Sequence, residues 1–319
     1  NHIRSVDATD ASSSLVQQYQ ERQKELKKLE EQYETLLAEN DRLNIRKAEI
    51  NDEVLNRQGN EQMVAELAKI TGYRPVNKEF IENRMTELGV SPETRAKYDE
   101  RKPGFWASLS QDRDDYLHYL KTVLFAEAAK GDCIISGRGG FSIFSGVPGI
   151  IAIKLVAPDP VRIERIRVRF QCDERRAEQM LKQNDHDRKG FHDYFFNVDW
   201  NNADNFDMVI NTGKEHPATV AEVINKLREL LITEENEKAC MKRLRELQIG
   251  QELVTEIIYK RRIPIHFLEA DVSGSKVSLH GVANTQGSID SAGVAAMDNP
   301  HIEVVENAIQ IVQEFAVMP

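Results

Sequence analysis

The feature that most constrains this chain is a long stretch without glycine or proline, running from Leu15 to Val54. Two series of residues recur there every seven positions, offset from each other by three: Tyr19, Leu26, Tyr33, Asn40, Lys47 and Val54, and Leu29, Leu36, Leu43 and Ile50. Charged residues fill most of the other places, as is typical of a coiled coil. The pattern predicts a coiled-coil helix over 15–58, preceded by a disordered start at 1–14.

Asn40 occupies a core position of this repeat. A buried amide needs a partner amide, so the residue favours one register and a two-stranded state. The predicted partner is therefore a second copy of the chain, in a homodimer. A single solvated helix packed on its own domain is the alternative that the pattern leaves open.

Composition narrows the classes of protein further. The formal net charge of −10 argues against a general nucleic-acid binder, whose affinity depends on Lys and Arg neutralising phosphates. No apolar run approaches the roughly 18 residues of a membrane-spanning helix, and the start lacks the apolar core of a secretory signal. Cys133, Cys172 and Cys240 lie far apart without metal-ligand spacing. We expect a cytoplasmic protein with reduced thiols, no transmembrane segment and no metal site.

Helical and strand-like patterns alternate in the second part of the chain, 59–233. The predicted strands are 133–136, 150–156 and 208–210, and the predicted helices begin near Gln62 and cover 78–88, 112–130, 160–170, 174–184 and 220–231. Such an order predicts an α/β fold with a parallel sheet and helices on both faces.

The third part, 234–319, has a different order of elements. We predict a helix over 239–261, strands over 263–272 and 276–282, a helix over 288–297 and a strand over 302–312. Ser273-Gly274-Ser275 supplies the turn between the first two strands. The order is that of a small α+β domain of αββαβ type.

Gly137, Arg138 and Gly139 directly follow the first predicted strand. Ligands of open α/β sheets bind at the carboxyl ends of strands. The glycines would let a phosphate or a base approach the backbone, and Arg138 would offer a fork of donors. A structural turn with an exposed arginine would show the same sequence, so both interpretations are open.

Arginines recur on the helix that follows Pro160. Arg162, Arg165 and Arg169 are spaced so that they share one helical face. Fixed positive charge of this kind suits a clamp for transferring phosphates. A solvated face paired with nearby glutamates is the alternative.

Asp185 and Arg188 lie three residues apart and would share a face if the segment is helical. The pair could hold a phosphate acceptor, with the carboxylate orienting the arginine.

Two histidines and two aromatic residues nearby have simpler interpretations. His186 and His192 lack companion metal ligands, and we predict that both are surface residues. Trp200 and Phe206 are predicted to be core anchors rather than base-stacking platforms, because aromatic side chains bury so much area.

These pieces occur in an order that resembles the cytidylate-kinase-like family of nucleotide kinases, from about Gln62 to Leu231. The residues that carry the resemblance are Tyr98-Asp99-Glu100-Arg101, Tyr116, Tyr119, Gly137-Arg138-Gly139, Ala157-Pro158-Asp159, Arg162, Arg165, Asp185, Arg188, Tyr194, Trp200 and 205–211. The resemblance implies a P-loop nucleoside monophosphate kinase fold, with ATP and Mg²⁺ as cofactors of an active member and a nucleoside monophosphate as substrate.

The resemblance also implies roles for particular residues. The monophosphate would contact Gly137, Arg138, Gly139, Asp185 and Arg188. Arg162 and Arg165 would belong to the lid that closes over the phosphates, and together with Asp185 and Arg188 they are the candidate catalytic residues.

The sequence departs from the family pattern in two places. The family usually shows Gly-Arg-Asp at the first motif, whereas Gly139 takes the third place here. The family's glycine-rich loop corresponds to 52–60, which holds one glycine, has no apolar strand run, and carries Arg57 and Gln58 where small residues are needed. Only Gly59 and Asn60 remain as candidate contacts for the donor nucleotide, so we predict a degenerate phosphate-binding loop.

The third part resembles a BON-like domain, through Gly281 after 277–279 and through the ending 302–311. That resemblance implies a protein or lipid-surface partner. Two functions follow for the whole chain. One is a kinase-derived nucleotide- or anion-binding assembly protein with little or no activity. The other is an active cytidylate-like kinase that transfers the γ-phosphate of ATP to a monophosphate.

Overall fold

The computed structural model describes residues 57–90 and 111–312, together with Lys27, Lys28 and Gln32, which are helical. The chain divides into two compact units, Asn1–Glu53 and Val54–Pro319, and the description below concerns the second. The predicted disordered start at 1–14 and nearly all of the predicted coiled coil over 15–58 lie outside the described residues.

The second unit begins with alternating short elements. In chain order these are α1 (Arg57–Thr71), β1 (Arg74–Val76), α2 (Lys78–Glu87), α3 (Gln111–Ala128), β2 (Cys133–Ile135) and α4 (Gly140–Ile143). Helix α1 ends where Gly72 adopts a left-handed φ of +74°. The side chain of Asn77 caps α2 by accepting a hydrogen bond from the Phe80 N–H.

The elements that follow are β3 (Ile153–Val156), α5 (Asp159–Phe170), α6 (Glu174–Phe196), β4 (Met208–Asn211) and α7 (Pro217–Leu231). Asp173 caps the start of α6 through the N–H of Arg176. The prediction that this helix ends at Asn184 is wrong. It continues to Phe196 because its last turns bury Phe191 and Phe195.

The strands form two parallel pairs, β1 with β2 and β3 with β4. Arg74 lies opposite Cys133 in the first pair, and Ile153 lies opposite Met208 in the second. The parallel direction agrees with the prediction, but a single sheet is not found, because no strand among the described residues joins β2 to β3. The sequence before α1 offers no apolar run from which a joining strand would form.

Both strand pairs pack on the same helical layer, made by α1 and α7. Their shared core contains Met63, Leu67, Val220, Ala221 and Ile224, with Ile134, Ile153, Leu155 and Ile210 of the strands against it. Since Ile134 belongs to β2 and Leu155 to β3, burial of apolar surface against one layer holds the two pairs side by side.

The last region contains α8 (Glu234–Val254), a π-helical turn (Thr255–Lys260), β5 (His266–Ser273), β6 (Lys276–Ala283), α9 (Gln286–Met297), β7 (Val304–Asn307) and β8 (Gln310–Ile311). Strand β6 lies between antiparallel β5 and parallel β7, and it also pairs with β8. The predicted αββαβ order is present, except that the last predicted strand is two short strands.

Helix α8 contributes to two hydrophobic cores. Cys240 and Leu244, in its first half, pack with residues of α2, α3 and α6. Leu253, near its end, and Ile257 of the π-helical turn pack with β6 and α9. A boundary drawn at 233/234 therefore separates α8 from the first core, to which it supplies buried side chains.

A polar contact lies where α3 meets the end of α8. His118 is buried, its Nε2 lies 3.3 Å from the Thr255 hydroxyl, and its Nδ1 contacts the Gln251 amide. Tyr259 stacks on the His118 ring at 4.5 Å and donates a 2.7 Å hydrogen bond to Asp115. The π-helical turn sets the register that brings both Thr255 and Tyr259 onto α3. Across the described part of the chain, every helix is too short or too polar to cross a bilayer.

Candidate functional site

The turn that leaves β2 has an unusual backbone. Gly137, Arg138 and Gly139 have left-handed φ values of +83°, +56° and +70°. The side chain of Arg138 is only 2% exposed, and its guanidinium contacts the Glu82 carboxylate and donates to the Tyr116 hydroxyl at 3.3 Å. The turn thus directs Arg138 into the protein between α2 and α3, so the alternative of an exposed turn arginine is wrong.

Gly139 lies against Phe196, the last residue of α6. A Cβ atom at position 139 would overlap Cε2 of the ring and lie 2.7 Å from Cζ. With a φ of +70° as well, the position suits glycine alone. The aspartate that the family pattern has in this place would not fit here, which gives a physical reason for the departure seen in the sequence.

Two arginines of α5 bind neighbouring elements. Arg162 forms a two-pronged ion pair with Asp185 of α6, through hydrogen bonds of 2.8 and 2.5 Å. Arg165 donates to the carbonyl of Thr212, just after β4, at 2.8 Å. The structure therefore pairs Arg162 with Asp185 and places Arg165 at the carboxyl end of β4.

Two cations lie over one indole ring. The ammonium of Lys154, on β3, is 4.5 Å from the centroid of Trp200, and Cζ of Arg188 is 5.8 Å from it. Lys154 also donates to the Trp200 carbonyl at 2.7 Å. Burial lowers the pKa of Lys154, while Asp199 and Asp185 oppose the shift. The sequence analysis did not single out Lys154, although a lysine inside an apolar strand is a signal for such a role.

His192 lies in the same cluster and is buried, so the prediction that it is a surface residue is wrong. Its ring is parallel to Trp200 at 6.3 Å and lies 4.9 Å from Phe141. Burial, with a smaller contribution from Arg188, lowers the pKa of His192 to about 4. Its Nδ1 has no hydrogen-bond partner among the described residues. His186, in contrast, is exposed as predicted.

The start of α1 bears on the predicted cofactor contacts. Gly59 and Asn60 stand inside the helix that begins at Arg57, not in a loop before it. A phosphate cradle needs successive amides that curve round the anion, and a regular helix does not provide that curve. Among the described residues, no group of three or more His, Cys, Asp or Glu side chains is placed so that it could hold a metal ion.

Parallel strand pairs with helices packed against them, and a basic helix α5 beside β4, define the class as an α/β protein. Residues 57–214 match the sequence model of the family described as the cytidylate kinase-like family. No curated protein matches the chain. One solved structure, an uncharacterized protein from Eubacterium ventriosum ATCC 27560, is 19% identical with a TM-score of 0.44, covering 54% of this chain and 92% of that one.

Proposed function

We propose that this protein is a kinase-derived assembly protein that binds a nucleotide or another phosphate-bearing anion, with little or no phosphotransfer activity. One observation carries the proposal. The backbone is helical from Arg57, so Gly59 and Asn60 belong to a helical turn where a phosphate-gripping loop would be needed.

A phosphate-gripping loop acts by pointing several consecutive amides at one triphosphate before its helix begins. In a helix the amides point along the axis, so those of Gly59 and Asn60, in the first turn of α1, do not curve round several phosphates as a loop does. Because positioning and charge stabilisation make up most of phosphoryl-transfer catalysis, loss of the cradle is expected to lower the rate by on the order of 10³ or more.

Anion binding itself is supported by the arginines of α5 and α6. Three of these arginines have partners in this region: Arg162 pairs with Asp185, Arg165 binds the Thr212 carbonyl just after β4, and Arg188 lies over the Trp200 ring. Arginine forks are matched to phosphate oxygens. A nucleoside monophosphate is a ligand whose negative charge this arrangement matches.

The second candidate function is an active nucleoside monophosphate kinase. It is favoured by the family match over 57–214, which includes every candidate catalytic residue. In that case ATP and Mg²⁺ would be the cofactors, and the γ-phosphate would pass to the monophosphate between Arg162, Arg165 and Arg188.

Thermal unfolding and product analysis together separate the two functions. Melting temperature is followed against CMP and against ATP·Mg²⁺, since a ligand that binds the native state must raise it. CDP formation is measured in the same mixtures. We expect a rise with CMP and no CDP. The matched variants are Arg188→Met, expected to lose the CMP effect, and Arg167→Met, an exposed arginine paired with Glu164 and expected to keep it. CDP formation at ordinary kinase rates would contradict the proposal.

The assembly role rests on the sequence patterns at the two ends of the chain. The heptads of 15–58 would join two copies, and the BON-like part would contact a protein or a lipid surface, in the cytoplasm. Sedimentation equilibrium of the full chain should give a dimer. Asn40→Leu should give larger or mixed species, because the buried amide that selects two strands is gone. A monomeric wild-type chain would refute this part.

A further inference from the structure

Lys154 carries a charge that the described residues leave without an ion pair. Its ammonium bonds to the Trp200 carbonyl at 2.7 Å and lies 3.5 Å from the Asn201 side-chain oxygen, and no carboxylate comes within ion-pair distance of it in the described ranges. The ammonium is also half-buried, on a strand. Holding such a charge away from water has a cost that a bound anion would offset.

A second cation shares the same ring. Arg188 reaches Trp200 from α6, whereas Lys154 reaches it from β3. Two positive groups from different elements therefore lie over one indole, and an anion bound beside the ring would be attracted by both.

His192 supplies an independent observation. It is 7% exposed, and its Nδ1 is buried without a hydrogen-bond partner in the part of the chain that the structure describes. Buried polar atoms are almost always paired, so an orphaned one calls for a ligand or a water molecule. The ring lies parallel to Trp200, in the aromatic cluster that holds the two cations.

We propose that Lys154, Arg188 and His192, gathered around Trp200, form a subsite for the phosphoryl group of a monophosphate. The ligand's identity as a nucleotide rests on the proposed function, whereas the subsite itself rests on the orphaned nitrogen of His192 and on the Lys154 ammonium, which has no ion pair among the described residues. Without a ligand, Lys154 and Arg188 lie over the ring of Trp200. A bound phosphate attracts both cations away from the ring and accepts a hydrogen bond from neutral His192. Trp200 therefore acts as a positioning residue, which the sequence pattern alone assigned to the core.

The fluorescence of Trp200 tests the proposal directly. The chain has two tryptophans, so Trp106→Phe leaves Trp200 as the only reporter. This protein is titrated with CMP, inorganic phosphate, pyrophosphate and cytidine. We expect a saturable change in emission with the three phosphate-bearing ligands and none with cytidine, with CMP saturating at lower concentration than free phosphate.

Variants in the same background assign the residues. Lys154→Met is expected to weaken CMP binding about tenfold, because a charge-assisted hydrogen bond is lost, and Lys154→Arg should recover most of it. His192→Phe, which keeps the ring volume, should weaken binding about threefold. The control is Lys238→Met, an exposed lysine of α8 paired with Glu234, which should change nothing.

The possible failures are distinguishable. If cytidine alone gives the full change, or if Lys154→Met and Lys238→Met bind CMP equally, the phosphate subsite is refuted while the proposed function stands. If CMP changes neither Trp200 emission nor melting temperature, both the phosphate subsite and the proposed function are refuted. Circular dichroism and melting of each variant without ligand confirm that a weakened affinity is not a loss of folding.

Discussion

Arg162 and Asp185 form a two-pronged ion pair that fastens α5 to α6, with both hydrogen bonds at 2.8 Å or less. Both side chains are partly buried, so their attraction is screened less than that of a surface pair. The same two residues are candidate phosphate contacts, and the pairing holds them in place before any ligand arrives.

A double-mutant cycle measures this pair. Arg162→Met, Asp185→Asn and the double variant should give a coupling free energy of about 1 kcal/mol in urea unfolding, since a two-pronged, partly buried pair exceeds the usual surface value. The comparison is the exposed pair of Arg167 and Glu164, within α5, for which we expect less than about 0.5 kcal/mol. Equal coupling in both cycles would contradict a special role for Arg162 and Asp185.

The contact between Gly139 and Phe196 predicts an asymmetry between two glycines. Gly139 and Gly146 have similar left-handed φ values, +70° and +76°, but only Gly139 has a neighbour within 4 Å of an added Cβ. Gly146→Ala should therefore cost only the backbone term, about 1 kcal/mol. Gly139→Ala should cost about 3 kcal/mol, because the ring of Phe196 must also move.

Chemical denaturation of the two alanine variants checks this difference. Adding Phe196→Leu to Gly139→Ala should return part of the lost stability, since the overlapping ring atoms are gone. Equal losses for Gly139→Ala and Gly146→Ala would show that the ring yields freely. The aspartate of the family pattern would then be acceptable at position 139 after all.

The sequence predicts elements well where local signals suffice. Pro160 near the start of α5 and Gly72 at the end of α1 mark helix ends through their own backbone preferences. Strand β1 escapes prediction because it has three residues with Pro75 at the centre, and only pairing with β2 makes it a strand.

The site was harder to predict, because it depends on α6 continuing past Asn184. Asp185 to Asp187 look unfavourable inside a helix. Ending the helix there hides the face that buries Phe191, His192 and Phe195. Arg138 illustrates another limit, since its burial against Glu82 depends on α2, which is far away in the sequence. Sequence spacing can identify a charged residue as a candidate site residue, but tertiary packing determines which residue it pairs with.

The two buried histidines predict how stability depends on pH. His118 and His192 have pKa values of about 4 in the folded protein, because burial disfavours the charged ring. The unfolded chain has the ordinary value of about 6.5. Between these values the unfolded state binds protons that the folded state does not. The free energy of unfolding therefore falls as the pH drops from about 6.5 towards 4, by up to about 1.4 kcal/mol per pH unit for each histidine.

Urea unfolding at pH 7.0, 6.0 and 5.0 tests this dependence. His192→Phe should lessen the loss between pH 6 and 5 by about 1 kcal/mol. The comparison is Lys189→Met, at an exposed position on the same helix, which removes no histidine. If both variants keep the wild-type slope, His192 titrates like a solvated histidine and is not buried in solution.

Helix α8 contributes to two hydrophobic cores, so we predict that a substitution that destabilises one core also destabilises the other. Leu244 is 1% exposed and packs in the first core, while Leu253 on the same helix packs in the second. Leu244→Ala should cost about 3 kcal/mol through the cavity it leaves. Met241→Ala, on the exposed side of α8, should cost less than about 1 kcal/mol.

Native-state hydrogen exchange measures which amides lose protection in these variants. In Leu244→Ala the slow amides of α3 and those of β6 should lose protection together, because a continuous helix carries the first core into the second. Faster exchange in α3 with an unchanged β6 would mean that the last region folds independently of the region that contains α3.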